Sequence, residues 1–316
     1  MNDIGLSEAV ALYLDLKQAM GQGMRNDAKI LQFFCRTMGA IILADVPADR
    51  VLGFLAGTGP VTLYWHRKHQ ALNGFFRFAI ARNYVTSSPL PTLLPARPVP
   101  FVPHVFTVQE LQQLLDGIAS FPNRKNTIPG DTLRVLLLLL YGAGLRISEA
   151  LALTVDDVNL SAAILTIRNS KFYKTRVVPI GPRLQEELMQ YKERQKQQGS
   201  SQQPQTLFFM TRHGAAIVPT TVDRIFDRLR RHTGICRTDG GRYQPRLHDL
   251  RHSCAVHRLV AWYRQGADVQ KLLPRLATYL GHVDIKSTQH YLTMTPQLLQ
   301  EASLRFERYA IPGGEA

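Results

Sequence analysis

Four short stretches of this 316-residue chain carry side chains suited to chemistry on a phosphate. The first is Gly144-Leu145-Arg146-Ile147-Ser148-Glu149, where an arginine stands at the entry to a helical segment. There its planar donor fork and the free helix amides can both face an anion. The second is the basic turn Ser170-Lys171-Phe172-Tyr173-Lys174-Thr175-Arg176, whose lysine could reach into a substrate as a mobile proton donor. The third is Leu247-His248-Asp249-Leu250-Arg251-His252. His248 and Arg251 are three residues apart and share a face if helical, which pairs a proton-transfer group with a phosphate clamp. The fourth is Leu280-Gly281-His282, followed nine residues later by Tyr291, a candidate nucleophile. Taken singly, each has a plainer reading: a solvated arginine, a polar turn, a core tyrosine.

A competing reading of the third stretch is metal chemistry. His248 and His252 stand four apart, the spacing of a zinc-binding pair. The zinc-peptidase pattern, however, wants Glu directly after the first His as general base. Here that position is Asp249, and no third ligand stands at a fixed spacing. The three cysteines, Cys35, Cys236 and Cys254, are too sparse and too far apart for a metal knuckle or a disulfide framework. The expectation is no metal, no cofactor and a reduced compartment.

In sequence order, Arg146, Lys171, His248-x-x-Arg251, Leu-Gly-His282 and Tyr291 resemble the catalytic signature of the tyrosine recombinases, the phage integrase and Xer-like family. The resemblance covers about residues 105–310. It implies a two-domain clamp around double-stranded DNA, a homo-oligomer that is a tetramer in the synapse or works beside related recombinases, and no metal. It also implies a role for each residue. Arg146 and Arg251 would hold the non-bridging oxygens of the attacked phosphate, a task a guanidinium performs at any working pH. Tyr291 would attack in line to leave a 3′-phosphotyrosyl link and a free 5′-hydroxyl. His248 would assist that transfer, Lys171 would protonate the leaving 5′-oxygen, and His282 would donate to a non-bridging oxygen. Glu149 would be the acidic residue that supports the site. Lys174 shares the turn with Lys171, and alignment back from Val-Val-Pro favours Lys171. His252, His257 and His290 remain structural or DNA-contacting. The bond energy is kept in the phosphotyrosine, so no ATP is needed, and the chain has no Gly-x-x-x-x-Gly-Lys-Ser/Thr loop.

The rest of the chain must position these groups. Its composition is that of a folded protein, 45% hydrophobic and 20% charged, with a formal net charge of +14 that favours a polyanion such as nucleic acid. No secretory leader is recognisable, and the most apolar run, 135–141, is far short of the ~20 residues that span a bilayer. A DNA-binding protein of the cytoplasm, associated with the nucleoid, is the expectation.

Six prolines in 88–104 preclude a helix or central strand there and mark an extended linker, assigned to 89–104. It separates a helical DNA-binding domain, 1–88, from a catalytic domain, 105–316. Both halves are basic. The first reads as helical from Leu6, Val10, Leu14 and Leu16 and from Ile30, Phe33, Phe34 and Met38. Residues 62–82 read as a packed helix with a basic face. The second half opens with Thr107 and Glu110 in capping-box spacing. Residues 163–180 read as a β-hairpin, and helices dominate from Thr220 onward. The fold class is therefore mostly α with a small β-hairpin or sheet in the catalytic domain (α+β), in the two-domain tyrosine recombinase clamp that the resemblance implies.

Two departures from simple Xer-like members stand out. The segment between Cys254 and Leu280 is long, and Pro274 within it suggests two helices. No additional arm-binding domain is expected ahead of residue 6. After Tyr291, Thr295-Pro296 opens an amphipathic helical stretch through Phe306, which in the family docks into a neighbouring protomer, with packing in cis as the alternative. The leading reading is integration or excision of a mobile element. An accessory DNA-binding protein, a type IB-like topoisomerase and, remotely, a zinc hydrolase using His248 and His252 are the alternatives.

Overall fold

The computed structural model describes residues 3–98, 101–122, 127–168, 175–241, 243–282, 284–293, 298, 300–301 and 303–304. The chain divides into two compact units, Met1–Pro100 and Phe101–Ala316. Among the described residues no helix is long and apolar enough to cross a membrane.

The described residues of the first unit form four α-helices, α1 (Leu6–Ala19), α2 (Arg25–Met38), α3 (Ala48–Ala56) and α4 (Leu63–Ala81), with a 3₁₀ turn, Leu43–Asp45, between α2 and α3. Phe34 from α2 and Leu72, Phe75 and Phe76 from α4 are fully buried at its centre, with Tyr13 from α1 edge-on to Phe75. Phe33, read from spacing as part of the apolar face of α2, is instead 47% exposed. The basic face of α4 is not wholly solvated either. Lys68 is buried, its ammonium donating to the Phe54 carbonyl and lying over the Phe54 and Tyr64 rings. That environment disfavours the charged form and lowers the lysine pKa through desolvation.

The second unit runs α5 (Val108–Ser120), α6 (Gly130–Gly142), α7 (Ile147–Leu151), β1 (Val158–Asn159), β2 (Ile164–Ile167), β3 (Arg176–Pro179), α8 (Pro182–Gln197), α9 (Pro219–His232), α10 (Asp249–Arg264), α11 (Val269–Leu280) and α12 (Lys286–Gln289), then a 3₁₀ turn, His290–Thr293. The Thr107 hydroxyl accepts from the Glu110 amide and the Glu110 carboxylate from the Thr107 amide, so the capping box forms and starts α5. The leucines of α6 are buried around most of its circumference, which makes it the central helix of this unit.

The strands form a three-stranded antiparallel sheet in the order β1-β2-β3. The hairpin registers Leu165 on Val178 and Ile167 on Arg176, which sends Leu165, Ile167 and Val178 into the core. β1, too short to carry an alternation of its own, was not foreseen. Residues 169–174, which include Lys171 and Lys174, lie outside the described residues.

The long segment after Cys254 does contain a break between two helices, but not at Pro274. α10 ends at Arg264 and the chain turns at Gly266, which takes φ +67°, while the Ala267 amide donates back to the Trp262 carbonyl at 3.0 Å. The Asp268 carboxylate then caps α11 by accepting from the Lys271 amide at 3.2 Å. Pro274 lies inside α11. The glycine that can adopt the left-handed turn decided the boundary, and packing of Leu273, Leu276 and Leu280 carries the helix through its proline.

Candidate active site

The site is built on the carboxyl end of α11. Tyr279, Leu280 and Gly281 supply three consecutive carbonyls there, and each takes one arginine from a different part of the unit. Arg176, on β3, donates its Nε to the Tyr279 carbonyl at 3.1 Å. Arg251, on α10, donates Nη2 to the Leu280 carbonyl at 2.5 Å. Arg146, just before α7, donates Nη2 to the Gly281 carbonyl at 3.0 Å. Carbonyls at a helix carboxyl end lack intrahelical partners and carry the negative end of its dipole, so cations are at home there.

One carboxylate lies between two of these arginines. Glu149 Oε1 accepts from Arg146 Nη1 at 2.7 Å and from Arg176 Nη1 at 3.0 Å. Its Oε2 accepts from Arg176 Nη2 at 2.8 Å and from the Arg146 backbone amide at 3.0 Å. Burial pushes the Glu149 pKa up, but the Arg176 hydrogen bonds and those of Arg146 outweigh it, leaving the carboxyl at about 2. It is ionised throughout the working range. Glu149 thus caps α7 and fixes the Arg146 side chain through the same carboxylate.

Arg251 is the most buried of the three, 1% exposed. Its Nη1 donates to the Gly144 carbonyl, in the loop that joins α6 to α7. Gly144 holds φ +60°, and a Cβ there would lie 2.6 Å from the Leu280 side chain. The glycine is needed for the turn and for the close approach of α11. Desolvation and the nearby Arg146 charge push Arg251 down to about 10, still cationic at neutral pH. Three guanidiniums therefore gather around one carboxylate, which pairs directly with Arg146 and Arg176. Arg146 spends two of its five side-chain donors on Glu149 and the Gly281 carbonyl, and Arg251 binds two carbonyls and the Tyr291 hydroxyl, so the cluster has both charge and donors left for an anion.

The aromatic and imidazole groups gather beside it. Tyr291, on the 3₁₀ turn after α12, is 3% exposed. Burial raises its phenol above the ordinary value, while the Arg251 and Arg146 charges pull against that. Its hydroxyl lies 3.1 Å from Nδ1 of His252. The His282 ring stacks on Tyr291 at 5.9 Å between centroids, and its Nδ1 lies 2.7 Å from the Thr288 hydroxyl. His248 immediately precedes α10, its ring edge-on to His252 at 4.8 Å. Its residue surface is open to solvent, yet desolvation of the ring and the Arg251 charge lower its pKa. His282 is pushed down to about 4 and His252 to about 3, by burial first and then by neighbouring cations. All three imidazoles are neutral near pH 7 in the free protein.

Arg146, Glu149, His248, Arg251, His282 and Tyr291 thus converge from segments spread over 146 to 291. Lys171 lies outside the described residues. Among the described residues no group of three or more His, Cys, Asp or Glu could hold a metal ion. The pair His248 and His252 finds no third ligand there, and Asp249, fully buried, accepts instead from the amide and guanidinium of Arg246 at 2.9 and 3.0 Å.

Two contributors escaped the reading of the sequence. Arg176 registers opposite the buried Ile167 and shares a strand face with Val178, so an arginine on the inward side of a strand was the available signal. His252 had no such signal, because its partner is 39 residues away.

The family model described as "Phage integrase family" matches residues 104–297. A protein of Sinorhizobium fredii (strain NBRC 101917 / NGR234), described as integrase/recombinase y4rB, is 32% identical over 304 residues, covering 95% of this chain and 96% of its own. Among solved structures, the Tn1549 transposon integrase in complex with a circular intermediate DNA superposes with a TM-score of 0.68 at 16% identity, over 95% of this chain and 99% of that one. A lambda integrase tetramer bound to a Holliday junction superposes with a TM-score of 0.65 at 19% identity, over 90% and 79%. This chain belongs to the phage integrase family of tyrosine recombinases. Its activity is that family's site-specific recombination, a transfer of DNA strands.

Proposed function

We propose that this recombinase serves the integration or excision of a mobile element, cutting and rejoining DNA through a phosphotyrosine at Tyr291. The observation that carries the site assignment is the arginine triad on three successive carbonyls of α11, with Tyr291 buried beside it. Arg146 and Arg251 have the spare donors to bind the non-bridging oxygens of a phosphodiester and to stabilise the charge that builds as it becomes pentacoordinate. Arg176 and Glu149 hold Arg146 in place. Tyr291 attacks phosphorus, the P–O5′ bond breaks, and the link is left on the 3′ side. His282, steadied by Thr288, donates to a non-bridging oxygen, and His248 assists the proton movements from the open side of the site. Lys171 protonates the leaving 5′-oxygen.

The mobile-element reading draws on the S. fredii protein's description as integrase/recombinase and on the likeness to a transposon integrase. The lambda integrase tetramer on a junction supports a tetrameric synapse on double-stranded DNA here. The test is a set of nicked duplexes tiled from the DNA flanking the gene, each incubated with wild type and with Tyr291→Phe. A covalent protein–DNA adduct with wild type alone supports the reading. An adduct that survives in Tyr291→Phe overturns the nucleophile.

A further inference from the structure

We propose that His252 is the hydrogen-bond acceptor that positions the Tyr291 hydroxyl for attack, a task the sequence motif leaves to His248. The proposal rests on the reading of Tyr291 as nucleophile. His252 sits one helical turn beyond His248 on α10, and its Nδ1 is 3.1 Å from the Tyr291 oxygen. The two rings lie 5.4 Å apart at 59°, so the contact is made at the ring edge, where the nitrogen lone pair lies, and not by stacking.

The other two imidazoles are placed differently. His282 covers the face of the Tyr291 ring and has Nδ1 on the Thr288 hydroxyl. His248 meets His252 at a right angle and is open to solvent. A division of labour follows: His248 faces outward and His252 holds the nucleophile from within.

For His252 to accept from Tyr291, the imidazole must be neutral, with its proton on Nε2 and its lone pair on Nδ1. Burial and the surrounding positive groups, among them Arg246 and Arg251, keep it so at neutral pH. A phenol buried at 3% exposure needs an acceptor in any case, because a hydroxyl removed from water is costly without one. The acceptor also fixes the C–C–O–H torsion and keeps the oxygen lone pair turned toward the arginine cluster. A nucleophile misplaced by about 1 Å can lose a factor of 10² in rate.

The experiment measures single-turnover cleavage by wild type, His252→Ala and His252→Asn on whichever nicked duplex gives an adduct with wild type, together with the Kd for that duplex. The asparagine amide oxygen falls near the Nδ1 position and accepts a hydrogen bond without being a base. Cleavage by His252→Ala should fall roughly ten- to hundredfold, with Kd within about twofold, and His252→Asn should recover most of the loss. A His252→Ala rate equal to or above that of wild type overturns the proposal, and so does a His252→Asn variant as slow as alanine. An adduct persisting in Tyr291→Phe would instead overturn the reading beneath it. A measurement that needs no DNA accompanies these: in ¹⁵N-histidine-labelled free protein, Tyr291→Phe should shift the His252 Nδ1 resonance as its donor is lost. An unmoved Nδ1 resonance also overturns the proposal.

Discussion

Replacing Glu149 by Gln removes one charge and almost no volume from the arginine cluster. The carboxyl is held at about 2 in the folded chain, against ~4.3 for a free glutamate. At about 1.36 kcal/mol per unit this difference corresponds to about 3 kcal/mol of folding stability. Arg146, 29% exposed at its side chain, lets solvent screen its share, which reduces the figure to about 2 kcal/mol. Against that, Arg176 is only 9% exposed and would lose its counter-charge, and breaking a buried pair costs about 3–5 kcal/mol. A loss of about 3 kcal/mol at pH 7 is the expected balance, equivalent to a fall of about 6–12 °C in Tm for a domain of this size. The sign with pH follows from the depressed pKa. The carboxylate's contribution is complete above about 4.3 and is lost as pH falls toward about 2. The gap between wild type and Glu149→Gln should therefore be full at pH 7 and narrow below about pH 4. Calorimetric unfolding of the full chain across that range reads both. A shift under about 2 °C at pH 7, or a gap that stays constant into acid, would refute the assignment of Glu149 as the counter-charge of this cluster.

Two further outcomes are expected. Gly281 holds φ +69°, and a Cβ there would lie 2.6 Å from Arg176 Nη1. Gly281→Ala should cost about 1–3 kcal/mol in urea unfolding, combining left-handed strain with displacement of Arg176, and an unchanged midpoint would contradict the packing. His252 and His282 have folded pKa values of about 3 and about 4, well below the ~6.5 of an unfolded chain. The unfolded state thus binds more protons between about pH 4 and 6.5, and stability should fall as pH is lowered through that window. Replacing His282 with Asn should flatten this dependence, and a chain that gains stability on acidification would contradict it.

Local physics made much of the architecture legible in advance. Thr107 and Glu110 cap α5 because the two residues that interact lie only three positions apart in the chain. The hairpin follows from Ile164, Thr166, Val177 and Val178 flanking a polar turn, since strand alternation is written in consecutive positions. The misread break near Pro274 shows the limit. Proline disfavours a helix interior, but tertiary burial of the α11 leucines outweighs that local cost, and Gly266 supplies a cheaper place to turn.

The candidate site divides in the same way. Arg146, His248, Arg251, His282 and Tyr291 were recognisable because each sits in a short motif, and their order resembles one family's. What the sequence alone determined is therefore the chemistry available, the helical frame and the basic charge that suits DNA. The tertiary structure alone decided how the cations are tolerated and what holds the nucleophile. Arg176 enters from β3, Arg251 from α10 and Arg146 from the α7 entry, and all three close on the end of α11. Tyr291 meets His252 across 39 residues. No periodicity encodes such meetings, because a hydrogen bond depends on positions within a few tenths of an ångström, and those are set by packing of the whole unit.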